Sequence, residues 1–206
     1  PGKSKKLPQT LSMKDVDALL HAAMNMGKNR NDLWRDTCLM QLLYATGMRV
    51  SEMMSLPLSA ARGNPAMLLI SCKGGKERIV PLSRPAKDAF HTWVRLRDEE
   101  DALLRTNGKP TSGFLFPSRG KLGHLTRHWF YARIKELALY ANIDVSRVTP
   151  HTIRHAFATH LLANGADLRI IQTLLGHADV STTEIYTHVL SERLESLVQD
   201  HHPLAR

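Results

Sequence analysis

Residues 67–82 read Met67-Leu68-Leu69-Ile70-Ser71-Cys72-Lys73-Gly74-Gly75-Lys76-Glu77-Arg78-Ile79-Val80-Pro81-Leu82. Two apolar-rich runs flank a Lys-Gly-Gly-Lys turn, and paired glycines between such runs signal a β-hairpin. Everything on either side has helical spacing instead. Upstream, Ser12-Met13-Lys14-Asp15 makes a capping box with Asp in place of Glu, and Val16, Leu19, Leu20 and Ala23 recur behind it. Between Asp32 and Tyr44, Leu39, Leu42 and Leu43 form a second apolar stripe that stops at Thr46-Gly47. Val50, Met53, Met54 and Leu56 then begin another helix, which places Arg49 at a sharp corner just after the break.

Downstream of the hairpin a helix is expected from about Pro85 to Arg105, then a Gly-, Pro- and Ser-rich loop with a short extended Phe114-Leu115-Phe116. From Leu125 through Ala141 the spacing turns Trp129, Phe130, Ile134, Leu137 and Ala138 inward and leaves Arg127, Arg133 and Lys135 outward, on a face suited to lie on DNA. Thr149 as N-cap and Pro150 at the first helical position open a helix through Leu162, closed by Gly165. Leu168 to Leu175 form a short helix stopping near Gly176-His177. Ser181-Thr182-Thr183-Glu184 caps a further helix carrying Ile185, Tyr186 and Val189, and Glu192 to Val198 continues helically. The expected fold is mainly α with one small antiparallel β-sheet: a single domain over residues 11–206 behind a flexible basic lead or linker over residues 1–10.

Composition narrows the partner. Lys and Arg number 28 against 19 Asp and Glu in 206 residues, a net charge of +9 and a pI near 9.8. Such a balance favours a polyanion, nucleic acid or an acidic membrane surface. No run of 18 apolar residues is present to span a bilayer, and the Lys-rich start has no signal-peptide core. Cys38 and Cys72 have neither CxxC nor Cys/His ligand spacing, so no disulfide framework or zinc knuckle is expected and a reducing cytoplasm fits.

Six polar residues fall at element ends: Arg49, Lys73, His151, Arg154, His177 and Tyr186. This is a set suited to phosphoryl transfer. Charge builds on the non-bridging oxygens of a phosphodiester under attack, and guanidinium groups meet it as permanent cations with a fixed donor fork. A tyrosine hydroxyl, with an ordinary pKa near 10, needs cationic surroundings or a nearby base to act as nucleophile. The histidines answer that need, and a lysine on a hairpin can protonate a departing alkoxide. Spacing ties only one pair: His151 and Arg154 are three residues apart on one helix and share a face. For the others the residues alone leave alternatives open, Arg49 as a surface charge and Tyr186 as a half-buried core tyrosine with its hydroxyl satisfied. His151 and His155 mimic the spacing of a zinc HExxH, but Thr152 stands where the Glu would be. Lys73-Gly74-Gly75-Lys76 lacks the GxxxxGK[ST] of a phosphate loop.

Five segments together carry a resemblance. They are Ala45-Thr46-Gly47-Met48-Arg49-Val50-Ser51-Glu52, Lys73 to Arg78, His151-Thr152-Ile153-Arg154-His155-Ala156-Phe157-Ala158-Thr159-His160, Leu174-Leu175-Gly176-His177, and Ser181-Thr182-Thr183-Glu184-Ile185-Tyr186-Thr187-His188. In order and separation they resemble the tyrosine recombinase (phage integrase-like) family from about Leu11 to Ala205, and within it the bacterial Xer recombinases. The ending Tyr186 to Val189, Glu192-Arg193-Leu194 and His201-His202-Pro203 resembles the XerD branch more than the XerC branch.

The resemblance implies a tyrosine recombinase catalytic-domain fold and a DNA strand-exchange reaction through a 3'-phosphotyrosine. Residues matching Arg49 and Arg154 would clamp the scissile phosphate, those matching His151 and His177 would donate to it or shuttle protons, and Lys73 would act as general acid. Tyr186 would be the nucleophile, with Glu52 in a supporting role. Lys76, Arg78, Arg127, Arg133 and Lys135 are the expected DNA contacts. No metal or other cofactor is implied. The implied partners are a double-stranded recombination site, a XerC-like partner recombinase, an FtsK-type translocase and a heterotetrameric synapse, acting in chromosome dimer resolution. The family's N-terminal core-binding domain has no counterpart among the matching segments, so a catalytic part alone is expected. Rival readings are a phage or integron-type integrase, a type IB topoisomerase, and a non-cleaving DNA-binding module of recombinase descent.

Overall fold

The computed structural model describes residues 10–63, 65–71, 75, 77–176 and 198–200. In chain order the helices and strands are α1 (Met13–Asn25), α2 (Arg30–Thr46), α3 (Val50–Met54), β1 (Met67–Ser71), β2 (Glu77–Pro81), α4 (Arg84–Thr106), α5 (Arg127–Tyr140), α6 (Pro150–Ala163) and α7 (Leu168–Leu175). Residues 198–200 are helical, and Val198 is buried. The class is the expected one, mostly helical with one two-stranded antiparallel sheet.

The long second helix organises the rest. From Asp36 to Thr46 every residue of α2 is buried, the condition of a helix enclosed on all sides, and α1, α4 and α6 pack against it. It begins two residues before the expected start because Asn29 caps it, its side-chain oxygen accepting from the Asp32 amide at 2.9 Å. It ends where Gly47 adopts a left-handed φ of +58°. A Cβ there would lie 2.4 Å from Phe157 Cδ1 of α6 and 2.8 Å from Leu175 Cδ2 of α7. The turn therefore needs glycine both for its backbone and for the close approach of two helices.

The remaining elements follow their local signals. Ser12 and Asp15 form the reciprocal capping box of α1, at 3.1 and 2.9 Å. Thr149 caps α6 with Pro150 in its first turn. In the hairpin Leu69 pairs with Ile79 and Ile70 with Arg78. Leu68, Ile70 and Val80 go into the core while Leu69 is 52% exposed. Phe114 makes an isolated bridge with Pro57, and Trp93 of α4 donates its indole N–H to the Leu115 carbonyl at 3.0 Å. Among the described residues no helix is long and apolar enough to cross a membrane.

Candidate active site around the end of α7

The corner that follows Gly47 presents Arg49. Its backbone is extended (φ −72°, ψ 146°), and it serves as the N-cap of α3. Glu52, one turn on, reaches back: its carboxylate accepts from the Arg49 amide at 2.8 Å and from the Arg49 guanidinium at 3.0 Å. The acid thus satisfies an orphan N–H at the helix start and sits at the positive end of the short helix. The Arg49 side chain stays 43% exposed, and its other guanidinium donors have no partner among the described residues.

Glu52 faces the other way as well. Arg78 of β2 holds both carboxylate oxygens, at 2.9 and 2.7 Å, and both side chains of this pair are only 7% exposed. Burial alone would push the Glu52 carboxyl upward, but the Arg78 hydrogen bonds and charge, with the Arg49 amide and guanidinium, outweigh it and hold the pKa at about 2. The carboxylate is a fixed negative charge at neutral pH. Arg78 also donates Nε–H to the Leu174 carbonyl at 2.9 Å.

That carbonyl belongs to the last turn of α7, where the next one, Leu175, accepts from Arg154 of α6 at 2.7 Å. Two guanidinium groups therefore meet the negative end of one helix. Gly176 closes α7 at φ +70°, and a Cβ there would come 3.1 Å from an Arg78 terminal nitrogen and 3.4 Å from its guanidinium carbon. Glycine suits both the left-handed turn and the close approach to that guanidinium. Arg49, Glu52, Arg78 and Arg154 are in this way joined through the end of α7, with His177 next in sequence. His151 is exposed on α6, one turn before the largely buried Arg154.

The expected site residues divide. Arg49, Glu52 and Arg154 are gathered here. Lys73, Lys76, His177 and Tyr186 lie outside the described residues. Arg78, expected as a DNA contact, is 8% exposed and committed inward. The strand alternation that buries Val80 also buries Arg78, opposite Ile70, and that alternation was the sequence signal for it.

On α5 the outward basic face needs correction. Arg127 is exposed, but Arg133 turns back to Asp36 at 2.7 Å and to the Met26 carbonyl at 2.6 Å, and also pairs with Glu136. Lys135 donates to the Val145 carbonyl. Asp36 is 1% exposed, and a buried carboxylate draws cations inward because an unpaired one is costly. Burial raises the Asp36 pKa against the pull of Arg35 and Arg133.

A cleft of about 520 Å³ lies elsewhere, lined by residues including Asn29, Arg35, Trp93 and Glu100, and touches none of the gathered residues. Among the described residues no cluster of three His, Cys, Asp or Glu side chains could hold a metal ion.

Comparisons with known proteins agree with this geometry. Residues 9–193 match the model of the phage integrase family. The chain is 51% identical over 210 residues to tyrosine recombinase XerD of Rhizobium meliloti (strain 1021), covering 100% of this chain and 65% of that relative. It is 47% identical to tyrosine recombinase XerD of Bradyrhizobium diazoefficiens, covering 100% of this chain and 66% of that one. The chain thus spans just under two thirds of the length of these relatives. Among solved structures, XerA recombinase superposes with a TM-score of 0.69 at 30% identity over 97% of this chain and 67% of that one. XerH site-specific recombinase, bound to its difH substrate in a pre-cleavage complex, gives 0.67 at 27% over 91% and 52%.

Proposed function

Because the chain belongs to the phage integrase family, we propose that it is the catalytic part of a XerD-like site-specific DNA recombinase, which cleaves and rejoins DNA through a 3'-phosphotyrosine. The observation that supports this most is that Arg154 donates to the last turn of α7 and Arg49 is tied to the same turn through Glu52 and Arg78. Two cations held in one connected frame suit a transition state whose charge lies on non-bridging phosphate oxygens.

In the proposed reaction the Tyr186 hydroxyl attacks phosphorus and the 5' oxygen leaves, taking a proton from Lys73. Arg49 and Arg154 hold the phosphate, and His151 and His177 donate to it or move the nucleophile's proton. One phosphoester is exchanged for another, so the partner strand's 5' hydroxyl reverses the step with no ATP. Arg127, on the exposed start of α5, and Lys76 contact the DNA backbone. The partners proposed are a double-stranded recombination site, a XerC-like recombinase completing a heterotetrameric synapse, and an FtsK-type translocase. The setting proposed is cytoplasmic, in chromosome dimer resolution. XerH, bound to difH before cleavage, is a neighbour with DNA in place.

The test uses a nicked duplex carrying a Xer-type site, from which the cleaved fragment diffuses away. A covalent protein–DNA band on a denaturing gel with the wild type, lost in Tyr186→Phe, is the expected result. A band of equal strength in Tyr186→Phe would refute the assignment of the nucleophile, and none with the wild type would refute cleavage by this chain.

A further inference from the structure

Arg78 lies on the hairpin that carries Lys73, yet its side chain points away from the turn, into the molecule. Its three donor groups are all directed: two to Glu52, at 2.9 and 2.7 Å, and Nε to the Leu174 carbonyl, at 2.9 Å. Glu52 in turn holds Arg49 by amide and guanidinium. Gly176 lies against the Arg78 guanidinium in a left-handed conformation, where a Cβ would be strained and would press on it at 3.1 Å. A planar fork that satisfies a carboxylate and a carbonyl at once is a task a lysine ammonium cannot perform.

We infer that Arg78 is a positioning residue for strand cleavage: by fixing both oxygens of Glu52 it sets the direction of Arg49 and leaves that guanidinium's remaining donors for the phosphate. This rests on the proposed recombinase reading. With Arg78 in place, Glu52 shares its charge between two arginines and engages the Arg49 guanidinium through Oε1 while Oε2 accepts from the Arg49 amide. Without the fork, a single ammonium in its place does not fix both oxygens, and the buried carboxylate is free to turn and draw more of the Arg49 guanidinium onto itself, in competition with the phosphate. Partners that orient the ligands of a metal change affinity or activity by about 10- to 100-fold when removed, and an effect of the same order is expected for a group that orients Arg49. Arg78 also ties β2 to α7, so the same fork sets the hairpin and the segment leading to His177 in one frame.

Arg78→Lys keeps the charge balance and removes the fork. Its single-turnover cleavage at saturating nicked duplex should be at least about tenfold slower than wild type, with DNA affinity within about threefold. The paired variant Arg78→Gln with Glu52→Gln removes both buried charges and should cleave as slowly, since charge balance alone does not orient Arg49. Circular dichroism confirms that each is folded. Arg78→Lys cleaving within about twofold of wild type would overturn the inference, as would both variants failing to fold, which would make Arg78 a residue of the fold only. A readout without cleavage keeps this separate from the proposed reaction: the Nε resonance of Arg49 in nitrogen-15 NMR should shift in Arg78→Lys. An unmoved resonance overturns the positioning role whether or not the wild type cuts DNA.

Discussion

Glu52 and Arg78 form a two-pronged ion pair, 2.9 and 2.7 Å, between a helix start and a strand 26 residues later, with both side chains 7% exposed. Arg49 and the last turn of α7 are held from this pair. Removing one member leaves the other charge buried, which destabilises by about 3–5 kcal/mol. Glu52→Ala should therefore lower unfolding stability by that order in urea denaturation. A loss below about 1 kcal/mol would mean that water reaches the pair.

The same pair fixes a pH dependence. Glu52 has a folded pKa of about 2 against an ordinary 4.5, so the unfolded chain binds its proton first as pH falls. Its contribution is complete above pH 4.5 and is lost progressively as pH falls through the folded value near 2, about 3 kcal/mol in all. The difference between wild type and Glu52→Gln should shrink across that window and be constant above it.

A second, half-buried contact carries a pH dependence of its own. His160 lies between the Tyr44 hydroxyl, 2.7 Å from Nδ1, and the Leu11 carbonyl, 3.0 Å from Nε2. Burial lowers its pKa, with the Leu11 carbonyl and Asp17 opposing, and burial pushes the Tyr44 hydroxyl up. A depressed histidine pKa means that stability is complete above the unfolded value near 6.5 and falls as pH drops through the folded one. Acidification from pH 7 should lower the melting temperature more in wild type than in His160→Gln. Equal slopes would remove the histidine from the account.

Arg127 and Arg133 should separate cleanly. Arg127→Ala should weaken DNA binding and reduce the slope of log affinity against log salt by about 1, with stability unchanged within about 0.5 kcal/mol. Arg133→Ala leaves buried Asp36 with Arg35 at 2.9 Å and should cost about 2 kcal/mol of stability with a smaller effect on binding. Reversed effects would restore Arg133 to the DNA face.

Gly47→Ala joins backbone to packing. The left-handed turn costs about 1–2 kcal/mol for alanine, and a Cβ 2.4 Å from Phe157 adds about 1–3 kcal/mol of overpacking. Gly63, at φ +78° with nothing within 4 Å of its Cβ position, is the comparison and should show only the backbone part. Equal losses in thermal denaturation would contradict the close approach of α6.

Much of this was legible in the chain itself. Caps and periodicity gave the start of α1 and both ends of α6 and α7 almost to the residue because Ser12, Thr149 and Gly176 signal locally. The hairpin followed from its glycines. The inward turn of Arg133 was not legible, since it depends on Asp36, 97 residues away in sequence. The joining of Arg49 to Arg154 runs through backbone carbonyls of Leu174 and Leu175, which have no side-chain signature. Arg78 lay between: its basic character pointed to DNA, while its place in the strand alternation pointed inward. Of the six residues expected to carry the chemistry, the described structure places Arg49, His151 and Arg154.

The most direct test of the central claim is the chemical identity of the DNA adduct. The covalent complex from the nicked duplex is digested with nuclease and trypsin, and the modified peptide is sequenced by mass spectrometry. The account predicts a nucleotide joined through its 3' phosphate to Tyr186, in the peptide that begins after Arg169 and ends at Arg193. An adduct on another residue, or a 5' phosphate linkage, would contradict it.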